Sequence, residues 1–220
     1  GMRHGTPFAV SEKIAEKLLQ LQPPILPNGS YDQIDVRGGN DAPAPRHWHT
    51  HVYGGKAEFA LSDQGRNDSR CVRIRSATGA DAVWTTAVDV KPHSRYRLSG
   101  WIRTENVAAG SGRGALLNVH ELPGVTTDAV VGTSDWRQVY KVFDTGSRER
   151  ITVNALLGGW GTSTGTAWYD NLLLEYLGDS PEPGLWPSPS GNPIIADCIA
   201  DPSIAEFDGT FYLTATTDDC

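Results

Sequence analysis

Between about residue 28 and residue 177 apolar and polar side chains alternate with a period of two. In 94–104, Tyr96, Leu98, Gly100 and Ile102 fall on one side, and Arg95, Arg97, Ser99, Trp101 and Arg103 on the other. In 114–122, Leu117 and Val119 share one side while Asn118 and His120 share the other. In 150–157, Ile151, Val153 and Ala155 face one way and Thr152 and Asn154 the opposite way. Successive side chains of a pleated strand point to opposite faces, so each segment offers one apolar face to a core. The same reading predicts strands at 55–62, 70–76, 82–90, 136–144 and 166–176. Turn residues separate them, among them Gly65, Gly79, Pro92-His93, Pro123-Gly124, Gly146 and Gly158-Gly159. Eight short strands at this spacing predict an all-β protein, an antiparallel β-sandwich or barrel of one domain.

The period changes at both ends. Residues 11–22 carry Ile14, Leu18 and Leu21 on one helical stripe, with Ser11 as cap and Glu12 at the positive end, and Pro23-Pro24 stops the run. A short N-terminal helix within a leader 1–27 is therefore predicted. Residues 178–191 contain four Pro, three Ser and three Gly, the composition of a stiff, extended linker. In 192–220, Asp208-Gly209 between two strand-like runs predicts a hairpin. One hairpin cannot bury its apolar face alone. It is expected either to pack on the sandwich or to begin a further domain.

Composition narrows the function classes. The net charge is −7, with Lys and Arg scattered along the chain, which argues against nucleic-acid binding. No apolar run approaches the ~20 residues of a membrane-spanning helix. Cys71, Cys198 and Cys220 form no close-spaced pair, so a zinc or redox site is not expected. Cys71, in an apolar run, reads as a buried thiol. His47, His49 and His51 stand at alternate positions, where three imidazoles would share one strand face. No fourth ligand accompanies them, and the segment reads instead as a polar loop anchored by Trp48.

The residues of 28–177 also resemble the jelly-roll carbohydrate-binding modules of families 4, 9 and 22, within the galactose-binding-like superfamily. Four anchors carry the resemblance: Asn28-Gly29-Ser30-Tyr31-Asp32, the run from Val88 to Ile102, Asp135-Trp136-Arg137-Gln138-Val139, and Gly165 to Leu172 with Trp168-Tyr169-Asp170-Asn171 inside it. The resemblance implies two antiparallel sheets face to face, with Trp136 and Trp168 as packing residues, and a structural calcium. Its ligands would be Asp32 and Asp170, with Asp63 and Asp68 within reach from the loop after 55–62. Calcium takes six to eight oxygens from carboxylates and backbone carbonyls.

Sugar recognition needs aromatic faces beside a few placed polar groups. The outward set Trp101, Arg103, Asn118, His120 and Asn154 meets that requirement, joined by Gln138 and Tyr140 from 136–144. Trp160, in the Gly-rich stretch Gly158-Gly159-Trp160-Gly161, has little local support and is expected to be exposed. Two other readings stay open: a polar face that is simply solvated, and one that packs on a neighbouring domain.

The stretch 192–216 resembles the opening of the five-bladed propeller of glycoside hydrolase family 43. Asn192-Pro193, Ala200-Asp201-Pro202-Ser203-Ile204 and Asp208-Gly209-Thr210-Phe211-Tyr212-Leu213 carry it. The resemblance makes Asp201 the general base of an inverting hydrolase. Inversion needs a second carboxyl about 6.5–9.5 Å away as general acid, and that family supplies it from later blades. The expectation is a non-catalytic carbohydrate-binding accessory module of an extracellular or periplasmic hydrolase. It would act with a C-terminal catalytic domain in cis on plant or microbial polysaccharide, arabinan or xylan first. A spacer that packs on the hydrolase without binding sugar is the alternative. Within 28–177 no paired-acid, nucleophile–base or cofactor motif marks an enzyme. The 220-residue chain by itself is expected to release no nitrophenol from aryl arabinosides or xylosides; measurable release would contradict that.

Overall fold

The computed structural model describes residues 26–35, 43–180, 199–207 and 210–217, the last two stretches as backbone. The predicted helix at 11–22, linker residues 181–191, Cys198 and Cys220 lie outside the described residues. The chain divides into two units, 1–179 and 180–220.

In the first unit a small ladder of β1 (Ile34–Asp35) and β2 (Ala44–Pro45) precedes β3 (His49–Gly55), β4 (Glu58–Ser62), β5 (Cys71–Asp89) and β6 (Ser94–Ala108). Then come β7 (Gly114–Val119), β8 (Gly132–Asp144), β9 (Arg150–Gly158) and β10 (Ser163–Asp179). All pairings are antiparallel. The predicted strands 70–76 and 82–90 are one strand, β5, and it belongs to two sheets. Its first part pairs with β4 and β10, its second with β3 and β9. The sheets are thus β4-β5-β10-β6-β8 and β3-β5-β9-β7, an all-β antiparallel sandwich joined through a shared strand. The changeover lies where Gly79, at φ 101°, meets Gly55, at φ 75°. A Cβ on Gly55 would stand 2.0 Å from the Gly79 carbonyl oxygen, so both the positive φ and the close approach demand glycine.

The predicted strand 55–62 is corrected at this point. It begins only at Glu58, as β4; Gly55 instead closes β3, the strand formed by the His-rich segment that was expected to be a loop. All of β3 except Gly54 is exposed, Val52 and Tyr53 included, so no buried apolar face announces the strand. The inward parities of the other strands hold. Tyr96, Leu98 and Ile102 of β6, Leu117 and Val119 of β7, and Ile151, Val153 and Ala155 of β9 are all buried between the sheets. Each large apolar side chain buried there contributes about 1.5–3 kcal/mol. The Tyr169 hydroxyl ties the sheets together by donating to the Leu156 carbonyl at 2.6 Å.

The Asn28-Gly29-Ser30-Tyr31 anchor is a closed turn with left-handed φ at Asn28 and Tyr31. The Asn28 amide donates to the carbonyls of Gln33 and Arg46 and accepts from the Gln33 N–H. Trp48 fills its centre, fully buried, its ring 5.0 Å from that of Tyr31. The indole N–H reaches the carbonyls of Pro27 and Asn28. Trp48 is thus the expected anchor.

In the second unit β11 (Ile199–Phe207) pairs antiparallel with β12 (Thr210–Thr217), with Phe207 opposite Thr210. The hairpin is therefore present, although Asp208 and Gly209 themselves lie outside the described residues. A bulge falls between Ala200 and Ser203, at Asp201-Pro202, where the missing N–H of proline disturbs a ladder least.

Candidate ligand-binding cleft

The outer face of the four-stranded sheet is not a plain solvated surface. Cross-strand register sets Asn118 of β7 opposite Asn154 of β9, and Asn154 opposite Thr85 of β5. One row along, Leu116, Leu156 and Val83 form a second small apolar cluster, buried on the side away from the main core. Asn118 and Asn154 are 5% and 1% exposed. Each has a side-chain amide oxygen that is buried without a hydrogen-bond partner. Nearly all buried polar atoms in folded proteins are paired, and an orphan costs about 1–3 kcal/mol. Two such orphans facing each other across one ladder need an explanation beyond folding.

These side chains form the floor of a cavity of about 280 Å³ whose lining also includes Tyr53, Asp81, His120, Gly159 and Trp160. Tyr53 stands at the bulge of β3 and stacks on the His120 ring, with centroids 5.9 Å apart and planes 9° from parallel. Its hydroxyl is 3.4 Å from His120 Nδ1, and the His51 ring meets its edge. Burial, and then the charges of Asp81 and Glu121, push the Tyr53 phenol up from its ordinary range. It stays protonated at neutral pH and can donate. Trp160, 58% exposed and at φ 57°, projects from the glycine turn after β9. That turn is held by the Gly159 N–H donating to Asp81 Oδ1 at 3.0 Å. An apolar floor, two amides, one carboxylate and two exposed aromatic rings suit a ligand with hydroxyls on its edge and C–H groups on its faces.

The eight residues singled out for ligand binding do not form one site. Asn118, His120, Asn154 and Trp160 line this cavity. Trp101, Arg103, Gln138 and Tyr140 stand on the other sheet, on β6 and β8. There the Arg66 guanidinium lies 3.7 Å over the Trp101 ring, covering the face a sugar would use. Arg103 lies over Trp168 at 4.3 Å and Trp136 at 5.4 Å, and donates to Gln64. Trp136 and Trp168 are therefore packing residues, but against arginine on an outer face and outside the core between the sheets. Tyr53, Asp81, Val83 and Leu156 escaped the sequence reading. Tyr53 was hidden by the missed β3, and Asp81 by its place between the two strands that are one.

Asp170 is fully buried on β10, and its carboxylate is well supplied with donors. Oδ2 accepts from the Arg66 N–H and the Ser69 hydroxyl, and Oδ1 from the Asn171 N–H. Burial raises its pKa from 3.8, opposed by those hydrogen bonds, and the nearby Asp32 charge raises it further. Asp32 is exposed, and Asp63, 90% exposed, pairs with Arg70. Asp68 lies in the short 3₁₀ turn between β4 and β5. Among the described residues no group of three or more His, Cys, Asp or Glu side chains gathers closely enough to hold a metal. His49 and His51 lie on β3, while His47 turns away at φ 70°. Cys71 is buried as expected, and burial pushes its thiol up to about 11, so it is protonated and unreactive.

No family model and no curated protein sequence matches this chain. Solved structures do. The enzymatically active domain of a tailspike protein from bacteriophage CBA120 superposes with a TM-score of 0.51 and 15% identity, over 70% of this chain and 21% of that one. This chain therefore spans about a fifth of that relative. A cyclase from Fischerella sp. TAU gives a TM-score of 0.51 and 13% identity, over 71% of this chain and 97% of that one. A carbohydrate-binding module of family 4 gives 0.45 and 17%, over 68% and 97%. At such identities the two matches at 0.51 show a shared fold alone, over about 70% of this chain.

Proposed function

We propose that this chain is a non-catalytic carbohydrate-binding module and that its sugar site is the Asn118–Asn154 cleft. The observation that carries the reading is the pair of buried, unpartnered amide oxygens on the floor of a cavity flanked by exposed Tyr53 and Trp160. Sugar hydroxyls would supply the missing donors, and the rings would stack on C–H faces. Binding of the full chain to a panel of neutral arabino-, xylo- and galacto-oligosaccharides, followed by calorimetry on any hit, tests it. Trp160→Ala is expected to weaken a bound glycan about tenfold or more, while Trp101→Ala leaves it unchanged. The reverse pattern would move the site to the other sheet.

The wider setting is part of the same proposal. The Ala200-Asp201-Pro202 motif and the antiparallel β11–β12 pair support a parent hydrolase of the family 43 type, with Asp201 as its general base. They also support a catalytic domain in cis, and through it an extracellular or periplasmic role on arabinan or xylan. The spacer reading draws on Tyr140 and Val142, neighbours on the same side of edge strand β8 and 66% and 40% exposed.

A structural calcium at Asp170 and Asp32 also belongs to the proposal. A buried carboxylate beside a second acidic charge supports the ion, while Asp63, the third ligand expected, pairs with Arg70. Asp170's raised pKa has a definite sign. The folded state holds the proton more tightly, so the contribution to stability is present at acidic pH and lost as pH rises through the raised value. In EGTA, the melting temperature of the native protein relative to Asp170→Asn should therefore rise as pH is lowered from neutral toward 4. Calcium should raise it at neutral pH in the native protein alone. An unchanged melting temperature with EGTA and then excess calcium would remove the ion.

A further inference from the structure

We infer that the outer face of the five-stranded sheet carries a second site, distinct from the cleft, for a carboxylate-bearing sugar unit of the uronate type. Register places Ala60, Arg73, Trp168 and Arg103 in one row across β4, β5, β10 and β6, and Glu58, Arg75, Thr166 and Glu105 in the next. Above them lies a concavity of about 500 Å³, lined by Arg73, Arg75, Thr166, Trp168 and Glu105 among others. Arg73 Nε and the Trp168 indole nitrogen are both buried with no hydrogen-bond partner, and Trp168 is only 8% exposed. Both groups are donors with no accepting capacity. Facing residues on neighbouring antiparallel strands have Cβ atoms about 4.5–5.5 Å apart, so register places the two donor-bearing side chains side by side on one face.

Charge on this face points the same way. Arg75, Arg95 and Arg97 pair with Glu58, Asp144 and Glu175. Arg66, Arg73 and Arg103 make no ion pair among the described residues and surround Trp101, Trp168 and Trp136. A protein of net charge −7 thus keeps a local positive field here. Guanidinium binds carboxylate through charge-assisted, often two-pronged hydrogen bonds. The remaining lining offers the hydroxyls of Thr164 and Thr166, partners for sugar hydroxyls. Glu105 would repel a densely charged polyanion, whereas a single carboxylate can settle on Arg73 with Glu105 accepting from a neighbouring hydroxyl.

The saccharide class rests on the sugar-binding reading above, and the test separates the two. The full chain is titrated with a neutral xylo-oligosaccharide, with the same oligosaccharide carrying one glucuronate, and with acetate. Stronger binding of the acidic sugar is expected, weakening with added salt. Arg73→Gln and Trp168→Phe should each abolish the preference, about tenfold or more, and leave neutral binding unchanged. Asn154→Leu should do the opposite. Neutral binding with no gain from the uronate overturns this inference alone. Uronate binding that needs Arg73 but ignores Asn154, without neutral binding, overturns the cleft reading alone. Acetate binding as tight as the uronate would show an anion site and refute the sugar. A Trp168→Phe chain that keeps the native melting temperature but also keeps the full preference refutes the role of the indole N–H.

Discussion

Asn154→Leu is expected to weaken neutral glycan binding about tenfold or more while leaving the fold as stable as before, or more so. The two effects have one cause. In the free protein the Asn154 amide oxygen is buried and unpaired across the ladder from that of Asn118. A buried acceptor without a donor costs about 1–3 kcal/mol, and an apolar side chain of similar shape removes that cost. Leucine at 154 would extend the apolar patch of Leu116, Leu156 and Val83. A sugar hydroxyl that pairs with the amide recovers the same 1–3 kcal/mol on binding, and 1.4 kcal/mol is a factor of ten in affinity. Thermal unfolding and calorimetry on one preparation check both halves. A variant that loses stability and keeps its affinity would make Asn154 a structural residue with an unrecognised partner, and the cleft would lose its central feature.

Trp48→Ala is expected to cause the largest loss of stability of any single change considered, about 3–5 kcal/mol. For a chain of this size that is about 6–20 °C in melting temperature. Three losses add. A large ring leaves a fully buried site, Tyr31 loses its aromatic neighbour at 5.0 Å, and the carbonyls of Pro27 and Asn28 lose a donor. The turn 26–31 also holds the middle of β10, at its bulge between Asp170 and Leu173, through the Leu172 N–H donating to the Gly29 carbonyl, so the damage reaches the Asp170 region. Trp48→Phe separates the contributions. It keeps most of the packing and gives up the indole N–H, so it should cost about 1–2 kcal/mol, near the net worth of one hydrogen bond. Chemical denaturation of the three proteins measures the series. If the phenylalanine variant is as damaging as the alanine, the hydrogen bonds and not the packing hold the turn.

What the sequence by itself determined is local. Period-two alternation gave each strand its two faces, because side-chain direction in a pleat depends only on position along the chain. It correctly buried Leu98, Ile102, Leu117, Val119, Ile151 and Val153, while the exposure of Trp160 followed from its Gly-rich stretch, which offers a large ring little support. The Asn28-to-Asp32 segment was marked only by resemblance, and its left-handed turn came from the structure; Trp48 was readable as an anchor, since a large aromatic among polar residues needs a buried place. Which sheet a strand joins depends on partners far away in the chain, and alternation is silent on that. Trp101 and Asn118 have the same outward parity, yet β6 lies in one sheet and β7 in the other, so one candidate surface became two. The same is true of β5: a glycine that reads as a turn is the point where a single strand passes from sheet to sheet. Only that passage brings Asp81 and Val83 beside Asn154, and only the tertiary pairing of β3 brings Tyr53 to His120. The cleft is thus a product of register between strands distant in sequence, and the orphaned amides that mark it exist only once those strands have met.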